Sequence, residues 1–189
     1  MGDRVWYIAR PGPTPEDAEA RIAGLISAMR DAGLIAGEEA PEAILGPPEG
    51  PVYWPGPRAE DGLPEGLGRF TDLDCCGVEF IARPIFNWGP LNVDAFTAPC
   101  CSAELAASEV IDRLGTAAGA NRDFSATAIA CPRCGAASGV NDWVRGGFLL
   151  ARCGVGLWNW QVATGVLEPV RRLARAAFGP ELVEAGYKI

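Results

Sequence analysis

The chain has 189 residues, a formal net charge of −8 and a 49% apolar content, enough to build a core and to exclude wholesale disorder. Its acidity disfavours non-specific binding to nucleic acid or anionic membranes, and no apolar run reaches the roughly 20 residues of a membrane span. Seven cysteines, an odd number, give no disulfide framework. The start of the chain lacks the basic and apolar regions of an export signal. Together these features suggest a reducing, cytoplasmic setting in which thiols serve metal, packing or chemistry.

The first element is a short buried strand over residues 4–9. Thr14-Pro15-Glu16-Asp17 then signals a helix start, with Thr as cap, Pro at the first position and acids complementing the dipole. Ala18, Ile22, Leu25, Ile26 and Met29 recur at helical spacing, so a helix is expected over 15–32, stopped at Gly33. Residues 36–68 read as an acidic, Pro-rich and largely irregular loop carrying Tyr53 and Trp54. An ordinary loop is the plain reading; the functional one is a partner-binding segment presenting Glu38, Glu39, Glu49, Tyr53, Trp54, Glu60 and Asp61.

Residues 78–88 and 91–96 follow as strands, with Pro84 marking a bulge or an edge. A short helix is expected within 103–114, and strands over 124–130 and 147–153, the latter continuing over 154–160. A helix over 167–178 ends at Gly179, and residues 182–189 return as a strand. The order predicts an α+β domain with a mostly antiparallel sheet, two main helices and a zinc-ribbon-like insert over 97–142.

That insert holds the strongest chemical signal, Cys131-Pro132-Arg133-Cys134-Gly135. Two thiolates separated by two residues grip one face of a tetrahedral ion, and the glycine turns the backbone so that N–H groups point at sulfur. The chain has no histidine. The remaining ligands must therefore be cysteine or carboxylate. Ala98-Pro99-Cys100-Cys101-Ser102-Ala103 can be laid over Cys131 to Ala136, aligning the proline and the second cysteine. Cys100, Cys101, Cys131 and Cys134 thus form a candidate zinc set, with Cys75, Cys76 or Asp142 as substitutes. Four thiolates would close the shell and make the zinc structural. The plain alternative is a degenerate ribbon whose thiols pack as small apolar groups.

Other features weigh less. Cys75-Cys76 and Cys153 read as packing residues. Trp158-Asn159-Trp160 places two indoles on one side of an extended segment, suited to a core or to a stacking platform. Arg171, Arg172 and Arg175 fall on the outer side of the last helix, where cations favour the dipole. Asp72, Asp74 and Glu79 would support a carboxylate enzyme if they converged.

Residues 131–189, through the knuckle, Trp143, Trp158-Asn159-Trp160 and the closing Gly186-Tyr187-Lys188-Ile189, resemble a group of uncharacterised bacterial proteins. These combine a Cys-Pro-x-Cys-Gly knuckle with a downstream Trp-Asn-Trp segment and a short C-terminal helix. The resemblance carries no catalytic residue over to this chain.

The leading functional expectation is a non-enzymatic protein-binding module, in its specific form an immunity protein or antitoxin neutralising a basic bacterial toxin. Acidic inhibitors attract basic targets and orient them. The alternatives are a nucleic-acid-associated zinc-ribbon protein and the carboxylate-dependent enzyme.

Overall fold

The computed structural model describes residues 3–10, 15–83, 85–87, 95–120, 128–143, 149–151, 153–162 and 164–188. In chain order its elements are β1 (Arg4–Arg10), α1 (Ala18–Asp31), β2 (Ile35–Glu39), β3 (Val52–Pro55), β4 (Val78–Ile81), β5 (Ile85–Asn87), β6 (Ala95–Thr97) and β7 (Glu104–Ala106). Then come α2 (Ala107–Ala120), β8 (Ala128–Ala130), β9 (Ala137–Gly139), β10 (Leu149–Ala151), β11 (Cys153–Trp158), α3 (Thr164–Phe178) and β12 (Val183–Lys188).

Six strands form one sheet in the order β12-β1-β11-β4-β3-β2, and its neighbours pair antiparallel. Strand side chains alternate between faces, which sorts the apolar residues. Ile8, Val155 and Phe80 lie side by side across β1, β11 and β4, and all are fully buried against the helices. They meet Ile22, Leu25 and Met29 of α1 and Leu167, Val170, Ala174 and Phe178 of α3. Val5 and Trp158, paired across β1 and β11, face the other way and pack with Val52, Ala43, Ile44 and Cys75. This is the expected α+β architecture, with a mostly antiparallel sheet.

The buried face of α1 consists of Ala18, Ile22, Leu25, Ile26 and Met29, the five residues expected from periodicity. Its start lies later than expected. Ala18 N–H bonds to the Pro15 carbonyl in a turn, and Asp17 pairs with Arg21 at 2.7 Å instead of capping with its side chain. Arg21 Nη1 also donates to the Ala177 carbonyl, tying α1 to the last turn of α3. Thr14 lies outside the described residues. Gly33, at φ 72°, ends the helix in a left-handed conformation that a side chain would strain.

The irregular loop expected over 36–68 needs correction. Most of β2 and all of β3 fall inside it, and β3 adds directly to β4. Val52 and Tyr53 are buried, and their burial outweighs the breaking tendency of Pro51 and Pro55, which flank the pair. A short 3-10 turn at Pro41–Ala43 folds Ala40, Ala43 and Ile44 onto the second face of the sheet.

The expected strand 78–88 is split into β4 in the main sheet and β5, which pairs with β10. Pro84 and Trp88 lie outside the described residues, as does most of the strands expected at 91–96 and 124–130. The helix expected within 103–114 begins at Ala107 and extends to Ala120.

The described residues within 95–143 build a unit with its own core. Hairpins β6–β7 and β8–β9 and helix α2 enclose Phe96, Ala98, Leu105, Val110, Leu114, Ile129, Cys131 and Trp143, a cluster separate from that of the main sheet. Among the described residues the insert is therefore a small second core.

Candidate metal centre

Each hairpin of the insert ends in a turn, and the two turns repeat each other bond for bond. In the second, Cys131 N–H donates to the Ala136 carbonyl and Gly135 N–H to the Cys131 carbonyl, both at 2.9 Å. In the first, Ala98 N–H donates to the Ala103 carbonyl and Ser102 N–H to the Ala98 carbonyl, both at 2.8 Å. Gly135 has φ 76° and Ser102, its counterpart, φ 56°. The faint sequence repeat is thus a structural one. Ser102 occupies the left-handed position that glycine fills in the other knuckle, at some steric expense.

The turns face each other and bring the four thiols together. Cys100 Sγ and Cys134 Sγ are 3.4 Å apart, Cys101 Sγ and Cys131 Sγ 3.8 Å apart, and all four sulfurs lie within 4.8 Å of one another. A tetrahedral zinc with bonds of about 2.3 Å requires sulfur separations of about 3.8 Å. Side chains of adjacent residues tend to point apart, yet both Cys100 and Cys101 lie in the cluster, just before the left-handed Ser102. Four closely spaced cysteines that can hold a metal ion are therefore present at 100, 101, 131 and 134.

The electrostatics are those of a site that wants a cation. Burial and then the neighbouring sulfurs push the Cys100 thiol up to about 12. At Cys101, burial and the Cys134 and Cys131 sulfurs overcome the Ala103 N–H and raise it. At Cys131 burial acts upward too, but the backbone N–H groups of Cys134 and Arg133 bring it down to about 7. Arg133 N–H lies 3.4 Å from Cys131 Sγ. Cys131 is thus drawn toward the thiolate by its own knuckle, while Cys100 and Cys101 resist ionising beside it. A divalent ion resolves that repulsion.

The proposed substitute ligands lie elsewhere. Asp142 Oδ2 accepts a hydrogen bond from Gly139 N–H at 3.0 Å. Cys75, Cys76 and Cys153 are buried, and burial raises all three, Cys76 to about 11. Such thiols are packing groups with little thiolate character.

The remaining candidate residues do not assemble into one site. Glu79 is the one buried charged residue among those described; its carboxylate accepts from Glu49 N–H and, at 3.4 Å, from the Trp158 indole. Asp74 lines a separate cleft with Asp3, Arg4, Cys75 and Asn159, and neither Asp72 nor Glu79 is among its lining residues.

The Trp158-Asn159-Trp160 segment also differs from expectation. Asn159 sits at φ 56° and ends β11, so Trp158 packs on one face of the sheet while Trp160 joins the helical side against Phe70. Both indoles are core residues, with Trp160 Nε1 donating to the Cys76 carbonyl. The Asn159 carboxamide bridges Asp3, the Cys75 carbonyl and Arg4 N–H.

Arg171 turns inward. It forms a bidentate pair with Glu184, at 2.8 and 2.9 Å, and the same carboxylate accepts from the Trp6 indole at 3.0 Å. Arg175 pairs with Glu168, and Arg172 is exposed. The three arginines therefore do not form one outward basic face.

The acidic segment is likewise mixed. Glu38 and Glu39 are exposed on β2, and Glu49 pairs with Arg83 at 2.9 Å. Glu60 is held by Arg69 and by both the N–H and the hydroxyl of Thr71, and Asp61 pairs with Arg58. Trp54 is half-buried. Tyr53 is 4% exposed, edge-on to Phe80 and under the Arg30 guanidinium; it is a core residue, not a free contact. Sequence reasoning missed the Glu184–Arg171–Trp6 network because those residues are far apart in the chain.

No protein-family model, curated protein or solved structure matches this chain. Among the described residues no helix is long and apolar enough to cross a membrane.

Proposed function

We propose that this chain is a non-enzymatic protein-binding module whose insert is held in shape by a structural zinc ion. The convergence of four thiols from two matched knuckles carries this reading. Zinc is the ion of choice for four thiolates in a tetrahedral arrangement, and four protein ligands leave no coordination position for a substrate or an activated water. Cys131 and Cys134 supply one edge of the tetrahedron, Cys100 and Cys101 the opposite one.

Two further observations favour binding over catalysis. The acids that an enzyme would require are dispersed, with Glu79 committed to two buried donors. The net charge of −8, with Glu38, Glu39 and Glu42 exposed along β2 and the turn after it, suits a basic protein partner. The specific form of this proposal is an immunity protein or antitoxin bound to a basic toxin. Against the nucleic-acid alternative stands the engagement of Arg171 and Arg175 in ion pairs.

The test is native mass spectrometry of the gently purified protein, coupled to elemental analysis. One zinc per chain and a stoichiometric basic protein are expected. A zinc-free chain would remove the metal part, and a chain recovered without any protein partner would remove the binding part.

A further inference from the structure

The two knuckles match in backbone but not in where they place their thiols. The position that Cys131 fills in the second turn is filled in the first by Ala98, which is fully buried. The missing thiol appears two residues later, at Cys100, the position that Arg133 holds in the other turn. Both Cys100 and Arg133 are exposed. One ligand of the set has thus moved from the protected root of its knuckle to the outer rim.

Because of that displacement the sulfurs are unequal. Cys131 is 2% exposed and takes a hydrogen bond from Arg133 N–H. Cys101 is exposed and lies 3.8 Å from the buried Cys131. Cys100 and Cys134 are both exposed and lie 3.4 Å apart. Three of the four thiols are exposed, Cys101 among them, and the Cys100–Cys134 contact at 3.4 Å is shorter than the 3.8 Å between Cys101 and the buried Cys131.

We propose that Cys100 and Cys134 are a peroxide-responsive pair whose oxidation to a disulfide expels the metal. The inference rests on the structural-zinc reading. In the zinc-loaded chain Cys100 would be held as a thiolate by the ion, and this thiolate attacks one oxygen of hydrogen peroxide; the O–O bond breaks, and hydroxide leaves and takes a proton from solvent to become water. Cys134 then attacks the sulfur of the resulting sulfenic acid. The S–S bond forms, the S–O bond breaks, and a second hydroxide leaves and is protonated to water. The two thiolates lose two electrons and the peroxide gains them. The ion, left with Cys101 and Cys131 alone, dissociates. A thiol reductant reverses the disulfide, and zinc re-enters.

The experiment loads the full chain with zinc, adds hydrogen peroxide, follows free zinc with a coloured chelator and maps the disulfides by mass spectrometry. The expected result is release of the ion together with a Cys100–Cys134 link, both reversed by dithiothreitol. The double substitution Ala98→Cys/Cys100→Arg returns the thiol to the protected position and should slow release about tenfold, because access of the oxidant to thiolate sets the rate. Equal release rates in the two proteins would overturn the inference, as would release with Cys101–Cys131 as the first link. A zinc-loaded chain that keeps its ion under peroxide overturns this inference alone. A chain that takes up no zinc overturns the zinc reading and the release step together.

Discussion

The sheet body and the insert are stabilised in different ways. The body packs large side chains, with Phe70, Phe80, Trp160, Leu25 and Leu167 all fully or almost fully buried, between one sheet and two helices. Among its described residues the insert has eight buried apolar residues, two of them Ala98 and Cys131, and four strands of three residues each. A core that small is marginal against chain entropy and gains from a further cross-link. The four thiols stand where such a cross-link is needed. Within one chain, then, a large core tolerates loops and bulges, while a small one lies beside four thiols that could hold an ion.

Chelation, or Cys131→Ser, should release the ion and loosen the insert, since structural zinc sites contribute on the order of 10 kcal/mol of folding free energy. Hydrogen exchange should then quicken across 95–106 and 128–139 while β1 and β11 stay protected. Equal loosening of both regions would break the distinction. Leu167→Ala should do the reverse, lowering the stability of the sheet body by about 2–5 kcal/mol in denaturant titrations with zinc content unchanged.

Arg171→Ala comes next, at roughly 2 kcal/mol, because it strands the Glu184 carboxylate beside Trp6. Its pH dependence has a definite sign. Burial alone would raise Glu184, but Arg171 and the Trp6 N–H hold it below its ordinary value of 4.5. Its contribution is present above that value and is lost as pH falls through the lowered one. The substitution should therefore flatten the acid limb of the stability curve. Glu79 acts in the opposite direction. Burial, only partly offset by the Glu49 N–H and the Trp158 indole, raises it above 4.5, so its contribution is present below 4.5 and lost as pH rises through the raised value. In the insert, acid should displace zinc by protonating thiolates, visible as metal release before the sheet body unfolds.

The smallest expected effect sharpens the comparison between the knuckles. Ser102→Gly relieves a side chain at φ 56° and should raise stability by about 0.5–1 kcal/mol, making the first turn match Gly135 in the second. No gain, measured as an unchanged zinc-off rate and melting temperature, would show that Ser102 carries no strain.

Much of this was legible in the sequence where the signal is local. The five-residue face of α1, the closing strand β12 and the Cys131–Gly135 knuckle all follow from spacing alone. The first knuckle was half legible: Pro99 and Cys101 align with Pro132 and Cys134, but Cys100 is out of place. Only the backbone shows that Ser102 takes the role of Gly135. What stayed hidden is non-local or masked by composition. Val52-Tyr53 is too short an apolar run to announce a strand among so many prolines and acids, and it becomes one because β4 offers an edge. Asn159 reversed the expected facing of two tryptophans through one left-handed residue. The Arg171–Glu184 pair depends on how α3 lies across β12, which no spacing within α3 encodes.

The most direct test of the central claim is X-ray absorption at the zinc edge of protein purified without added metal. The account predicts a full complement of zinc with four sulfur neighbours at about 2.3 Å. A shell containing nitrogen or oxygen, or protein with a folded insert and no zinc, would contradict it.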